Sequence, residues 1–402
     1  MTETAPAPAP VTLRALAAPV FLPSLLFGIG QGAIAPVVVV SARDLGASIA
    51  VAGLIAALAG FGNIIADVPA GALAARLGER RTMIAATAAL SVALVMCAMA
   101  DSLLLLGAGI MMTGFARAAW GLARHTYVTE AVPYELRARA LSTLGGTQRI
   151  GMFIGPFVGA AAMTWSGTQG AYWVHLVTAL AAVGVLLAVP TPPGAADADR
   201  PKKKGEGGHG GTLKVLREHL PVFRTLGVGA MLLGALRAAR PVVIPLWAEY
   251  LGLDPAATSI IFGLAGAIDM AMFYPAGKVM DRFGRVWVGV PCMLVMATSL
   301  LLLPLTHNAG TLLAVALLMG FGNGIGSGII MTLGADASPD VGRANFLGGW
   351  RLCADLGNAG GPLLVSGIAA VATLGPAILA MGVIGLLGAG ALAKWIPRRD
   401  EP

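Results

Sequence analysis

The sequence predicts an all-α membrane protein: twelve transmembrane helices forming two pseudo-symmetric six-helix bundles. Three observations carry this expectation. Of the 402 residues, 57% are hydrophobic and only 12% are charged, whereas soluble domains carry about 25% charged residues. Mean hydropathy is +0.80, and apolar runs recur that reach the length of about 20 residues needed to cross a bilayer. The chain also repeats itself at a constant offset. Its 55 glycines fit this class, because small residues let membrane helices pack closely.

The elements follow in order. Residues 1–14 read as a cytoplasmic tail: Met1–Pro10 is Pro/Ala-rich and lacks the basic start of a signal peptide. Apolar runs over 15–41, 49–74, 82–100, 103–124, 139–163 and 171–190 give six spans and a first bundle over 15–190. Residues 191–222 form a linker. Its first part, TPPGAADADRPKKKGEGGHGG, is basic and flexible. The second part, TLKVLREHLP, suits a short amphipathic helix on the membrane surface. Runs over 223–250, 256–279, 286–306, 310–333, 345–370 and 374–396 supply the second bundle, 223–396. Residues 397–402 form a second tail.

Charge sets the topology. The net charge is +7. Most basic residues fall in alternate loops, among them Arg76, Arg80, Arg81, Arg137, Arg139, Lys202, Lys203, Lys204, Lys278, Arg282, Arg285 and Arg343. The opposite loops hold Arg43 and otherwise mainly acids: Asp44, Asp101, Glu249 and Asp254. By the positive-inside rule the basic side is cytoplasmic, so twelve spans place both termini inside. The excess charge therefore reads as topology and not as a nucleic-acid surface. Cys97, Cys292 and Cys353 lie far apart in apolar stretches and read as small buried hydrophobes.

The repeat offset is 206 residues. Gly28 matches Gly234, Leu45-Gly46 matches Leu251-Gly252, and Pro69-Ala70-Gly71 matches Pro275-Ala276-Gly277. Gly114-Phe115 matches Gly320-Phe321, Pro133 and Arg137 match Pro339 and Arg343, and Gly155-Pro156 matches Gly361-Pro362. Two such halves imply a site near the midplane at their interface, with access alternating as the halves rock.

Several motifs recur in this frame. Gly277-Lys-Val-Met-Asp281-Arg282-Phe-Gly284-Arg285 is a tight charged turn between two spans. Its first-half copy, Gly71 to Arg81, keeps Arg76 and Gly78 but carries Ala75 where the second copy has Asp281. Arg117-Ala-Ala-Trp120-Gly121 and Gly151-Met-Phe-Ile-Gly155-Pro156-Phe-Val-Gly159 lie within spans. Together these resemble the signatures of the major facilitator superfamily: the loop 2-3/8-9 motif, the fourth-helix RxxxG motif (with Trp120 in place of the usual Gln) and the fifth-helix GxxxGPxxG motif of exporters. Gly30-Gln-Gly-Ala-Ile-Ala-Pro36-Val37 is a looser match to the first helix of twelve-span drug:proton antiporters. The resemblance implies the major facilitator fold, with Gly71, Arg76, Gly78, Arg117, Gly121, Gly151, Gly155, Pro156, Gly277, Asp281, Arg282, Gly284 and Arg285 in gating or helix packing. Asp281 could bond the N-terminal end of a neighbouring helix as a latch between halves. Turn chemistry alone also explains the 71–81 and 277–285 sequences. Pro156 would kink its helix.

Ionisable residues inside spans cost several kcal/mol unless paired or hydrated. Five arginines, Arg117, Arg149, Arg237, Arg240 and Arg351, stand against three aspartates, Asp67, Asp269 and Asp355, a surplus of two positive charges. Arg149 and Asp355 are repeat-equivalent, and Arg351 can pair with Asp355 one helical turn away. Protonating Asp355 would then free an arginine for substrate; a permanent ion pair is the plainer alternative. Asp269, equivalent to Asn63, has no base within a turn and reads as an unpaired carboxyl that holds its proton. Asp67 could pair with Arg117 or with the 76–81 cluster. Arg237, equivalent to Gln31, and Arg240 would, with Arg149, make a cavity that favours a carboxylate or phosphate on the substrate. Either arginine could instead be taken up by Glu249, Asp269 or carbonyls. Trp120, Trp173, Trp247 and Trp350 are candidate apolar contacts, while Trp165, Trp173, Trp287 and Trp395 suit interfacial anchoring. The substrate-cavity candidates are thus Gln31, Asn63, Arg149, Arg237, Arg240, Arg351 and Trp350, and the proton-coupling candidates are Asp269, Asp355 and Asp67.

The sequence lacks a GxxxxGK[ST] nucleotide loop and a metal-ligand set, so no cofactor or metal is expected and the chain does not read as an enzyme. The expectation is a monomeric secondary active transporter of a bacterial cytoplasmic membrane. Its partners would be a small molecule, protons and the lipid bilayer, with no nucleic acid. Efflux of a small amphipathic compound is the first reading. A uniporter or symporter importing an organic anion or nutrient, and a transporter-like sensor or scaffold, are the alternatives.

Overall fold

The computed structural model describes residues 20–132, 134–189, 217–339 and 343–397. The expected tail over 1–14 with residues 15–19 of the first span, the linker up to residue 216 with the first half of its amphipathic helix, and residues 398–402 lie outside the described residues. The helices are α1 (Leu22–Ile34), α2 (Val38–Asp44), α3 (Ile49–Leu77), α4 (Glu79–Ala98), α5 (Leu103–Ala131), α6 (Tyr134–Ser166) and α7 (Gln169–Ala188). After a helical turn at Leu220–Val222 and a π-helical turn at Phe223–Gly227 come α8 (Val228–Tyr250), α9 (Pro255–Phe283), α10 (Val286–Leu302), α11 (Ala309–Ile325), α12 (Ile329–Asp336), α13 (Arg343–Val371) and α14 (Leu374–Trp395). α1 with α2, and α11 with α12, each make one crossing, so these helices give the twelve expected crossings. Ten of them are long and apolar enough to span a membrane by those features alone. The remaining two, α6 and α13, are repeat-equivalent and carry Arg149 and the Arg351–Asp355 pair.

Local chemistry repeats with the 206-residue offset. The turns before α3 and α9 use Gly46 and Gly252, and those after them use Gly78 and Gly284, all with positive φ of 74° to 97° that only glycine adopts easily. Ser48 and Asp254 cap α3 and α9 by accepting from Val51 N and Ala257 N. Ser102 and Asn308 cap α5 and α11 in the same way. Helices run past their apolar stretches: α5 reaches Ala131 instead of stopping at 124, because helical propensity does not end where hydrophobicity does.

Two spans expected to be continuous are broken. Pro36 offers no N–H and its ring crowds the preceding turn, and the chain turns between α1 and α2 at residues 35–37. Between α11 and α12 the break falls at Gly326-Ser327-Gly328, with Gly328 left-handed at φ +83°. Upstream, Gly322 and Gly324 serve close packing: a Cβ at Gly322 would lie 3.0 Å from Met296, and one at Gly324 2.6 Å from the carbonyl of Asp269.

Within each half the closest seam follows the glycines. A Cβ at Gly151 would strike the carbonyl of Leu25, and one at Gly155 the carbonyl of Ile29. In the second half Gly357 meets Met231 and Gly361 meets Ala235, at the same offset. α6 thus lies directly on α1, and α13 on α8. In lipid, such backbone approach supplies dispersion contact that longer side chains would prevent. The glycines of the GxxxGPxxG sequence form a packing seam, while Pro156 touches the other half.

The halves meet tightly at one end. A Cβ at Gly60 of α3 would lie 3.1 Å from Ala359 of α13, and Gly53 packs on Ser366. Gly263 of α9 would place a Cβ 2.9 Å from Phe157 and 3.2 Å from Pro156 of α6. At the same end Arg43 Nε donates to Glu249 at 2.9 Å. These two residues are themselves 206 apart, so the ion pair lies on the pseudo-two-fold axis. Toward the end bearing the basic turns the halves diverge. A side chain at Gly121, Gly145, Gly277 or Gly348 would meet nothing within 4 Å, and Arg117 and His125, deep among the helices, keep accessible side chains.

Candidate functional site

The embedded charges sort into two clusters between the halves. The first gathers Arg149 from α6, Arg237 and Arg240 from α8, Asp269 and Phe273 from α9, and Asn323 with Ser327 from α11 and the break after it. Arg240 Nη1 donates to Asp269 Oδ2 at 3.2 Å, and Asn323 Nδ2 donates to the same oxygen at 2.5 Å. Arg149 Nη1 is 3.9 Å from Asp269 Oδ1, beyond hydrogen-bond reach, and donates instead to Ser327 Oγ at 2.8 Å. Its guanidinium lies 4.6 Å from the centre of the Phe273 ring, a cation–π contact. Arg237 Nη2 donates to the carbonyl of Gly326 at 2.6 Å, which satisfies an acceptor freed by the helix break.

Asp269 is therefore not the unpaired carboxyl the sequence suggests. Its partners come from α8 and α11, which one-helix spacing cannot reveal. Arg240, 8% exposed, is committed to Asp269, and Arg237 is committed to Gly326. Arg149 is the loosely held member: it is the most exposed of the Arg149–Asp269–Arg240 set, with 35% of its side chain open to the space between the halves.

The second cluster joins Asp67 of α3, Arg117 of α5 and Arg351 with Asp355 of α13. Arg351 stands 3.5 Å from Asp67 and 3.5 Å from Asp355. Asp67 pairs across the halves, and not with the 76–81 cluster. Arg117 feels both carboxylates, Asp355 more than Asp67. Among the described residues, the buried Oδ2 of Asp355 finds no hydrogen-bond donor. One guanidinium is thus shared, at long distance, by two carboxylates from opposite halves.

The model for the Major Facilitator Superfamily matches residues 20–238 and again 226–402. The chain belongs to the Major Facilitator Superfamily. It is an integral membrane protein and a secondary transporter, not an enzyme. An uncharacterised MFS-type transporter of Mycobacterium tuberculosis strain H37Rv is 26% identical over 366 residues, covering 85% of this chain and 82% of that protein. Among solved structures, a D-xylose-proton symporter is similar at TM-score 0.75 and 16% identity, covering 96% of this chain and 98% of that one. A nucleoside transporter is similar at TM-score 0.76 and 14% identity, covering 96% and 100%. At these identities the structures share the fold.

The two loop motifs of the superfamily fall at the basic end. Gly78 and Gly284 make their turns, while Arg76, Asp281 and Arg282 are exposed. The ion pair at the second turn is made by Arg285 with Asp336, at 2.7 Å, and not by Asp281; the Asp336 carboxylate pushes the Arg285 pKa up. Gly71 and Gly121 face open space or a distant side chain.

Trp350 is a correction. It is 4% exposed, donates Nε1 to the carbonyl of Ile330 and packs on Gly334, so in this conformation it offers no face to a solute. Trp120 and Trp247 are buried as well, whereas Trp165 and Trp287 are 90% and 66% exposed, as interfacial anchors would be. Asn63 is half-buried on α3. Gln31 accepts from Gln148 Nε2 at 3.2 Å, and Gln148 Oε1 accepts from Arg124 at 2.8 Å. Sequence reasoning missed Gln148, Asn323, Ser327 and Arg124. For Arg124 a signal was present, since it follows Arg117 and Trp120 at helical spacing and stands at the end of an apolar run.

Proposed function

We propose that this transporter exports a small amphipathic organic compound bearing an anionic group, in exchange for protons, by alternating access. The charge division between the clusters carries the reading. The α6/α8/α9/α11 cluster has three arginines and one aspartate, Arg149, Arg237 and Arg240 against Asp269, a balance of +2. The α3/α5/α13 cluster has Arg117 and Arg351 against Asp67 and Asp355, a balance of zero. Of the two clusters, only the first carries a surplus, and it stands around the one arginine that is only loosely engaged. A carboxylate or phosphate entering there can take Arg149 from Ser327 without unpairing Asp269, which keeps Arg240 and Asn323. The neutral cluster supplies the proton step. Protonating Asp67 removes one claimant on Arg351, which then commits to Asp355 on its own helix and releases the link between halves. Phe273 and the apolar helix faces suit the rest of an amphipathic molecule.

The basic end is cytoplasmic by the positive-inside rule, which makes this conformation inward-open and both termini cytoplasmic. A bacterial cytoplasmic membrane fits the mycobacterial relatives. The fifth-helix resemblance favours export.

Inside-out vesicles holding the protein test the reading, using the strongest binder from a thermal-shift screen of anionic, neutral and cationic compounds. An exporter loads that compound when the lumen is made acidic, and Arg149→Ala abolishes loading. Loss of compound from an acidic lumen instead indicates symport into the cell. No proton-linked movement in either direction, with Arg149 and Asp355 variants behaving as wild type, indicates a sensor or scaffold.

A further inference from the structure

The first half contains a buried cation that the transport site does not use. Arg124 lies on α5, one turn beyond Trp120, and is 5% exposed. Its guanidinium sits 4.6 Å from the centre of the Trp120 ring, which stacks on Phe27 at 4.0 Å. Nη2 donates to Gln148 Oε1 and stands 3.4 Å from His125 Nε2. Among the described residues, Nε and Nη1 of Arg124 find no acceptor, and neither does Nε1 of Trp120; all three nitrogens are buried. Among the described residues no carboxylate acts on Arg124. Arg124 and Trp120 also line one small cavity at the basic end of the first half, walled by Val20, Pro23, Met83, Tyr127 and Leu186.

A guanidinium removed from water without a counter-charge is strongly unfavourable, and each buried donor without an acceptor adds to the penalty. Unmet donors on two side chains and a full positive charge therefore stand beside a cavity with largely apolar walls. A water molecule there would satisfy some donors but bring its own hydrogens and no charge. An acceptor with no hydrogens and one negative charge satisfies both demands. The small, mainly apolar lining favours a single atom over a tetrahedral oxyanion.

We propose that Arg124 and Trp120 hold a monovalent anion of halide size inside the first bundle, separate from the substrate site. The site does not depend on what is transported or in which direction.

The full-length protein, purified in sodium gluconate, is titrated with chloride or bromide at constant ionic strength while its thermal midpoint is followed. A saturable rise of a few degrees with both halides is expected, and none with sulfate. Arg124→Gln removes the saturable rise. Trp120→Phe keeps the ring on Phe27 but loses one donor, and weakens half-saturation about tenfold. Crystals grown in bromide should show an anomalous peak beside Arg124. A wild-type midpoint indifferent to halide overturns the proposal, as does an equal rise in Arg124→Gln, an equal response to sulfate, or bromide peaks only elsewhere. If Arg124→Gln does not fold, the Trp120→Phe titration and the bromide peak decide.

Discussion

Asp269 holds groups from three other helices, with Arg240 and Asn323 on one oxygen and Arg149 near the other. Removing its charge strands Arg240, which is nearly buried. Asp269→Ala should therefore cost about 3–5 kcal/mol, the range for breaking a buried pair from one side. Asp269→Asn, which can still accept a hydrogen bond, should cost less; thermal unfolding in detergent compares them. Arg149 predicts the opposite pattern. It is half-exposed and its nearest carboxylate stands 3.9 Å away, so Arg149→Lys should leave the midpoint almost unchanged. It should weaken binding of an anionic ligand at least tenfold, because a lysine cannot present a planar fork; calorimetric titration reads this directly. For the proton step, Asp67→Asn should uncouple proton flux from substrate movement in vesicles with a pH-sensitive dye, while binding stays intact. The residue types of both clusters were legible in the sequence, since embedded charges stand out against apolar runs. Their pairing between helices was legible only as one alternative among several, Arg240 with Asp269 and Arg237 with a carbonyl included. Asp269 finds Arg240 across 29 positions and Arg351 finds Asp67 across 284, and periodicity within one helix says nothing about a neighbouring helix.

At the scale of elements, glycines with the same identity have opposite consequences. Gly155 and Gly361 press their helices onto the backbone of α1 and α8, whereas Gly121 and Gly348 face open space. Gly155→Ala and Gly361→Ala should destabilise by about 1–3 kcal/mol through overpacking. Gly121→Ala and Gly348→Ala should be neutral or slightly stabilising, since alanine is the better helix former. Scoring folded yield and thermal midpoint for the four variants separates the classes. The repeat made the seam positions visible in the sequence, because glycines recur there at one offset. It could not distinguish seam from open face, which depends on which helix lies opposite. The break between α11 and α12 was hidden for a related reason. A run of glycines reads equally as close packing or as a turn, and here Gly322 and Gly324 do the first while Gly328 does the second.

For the whole molecule, the closed end sets which conformation is favoured. α3 against α13 and α6 against α9 supply its apolar contact, and Arg43–Glu249 supplies its one axial ion pair among the described residues. Both side chains of that pair are about a third exposed, so it contributes about 0.2–1 kcal/mol, enough to move a two-state equilibrium up to about fivefold. Arg43→Glu alone should therefore populate the conformation open at that end, and Arg43→Glu with Glu249→Arg should restore the balance. Distances between spin labels at the two ends would report both. The pair also bears on how such a molecule can have arisen. In an assembly of two identical six-helix chains, the residue at this position would face its own copy, and two arginines or two glutamates would repel. An attraction across the axis exists only when the two copies are encoded separately and free to diverge. Divergence of the two halves thus gives this transporter a closing ion pair that no symmetric dimer of identical halves could hold.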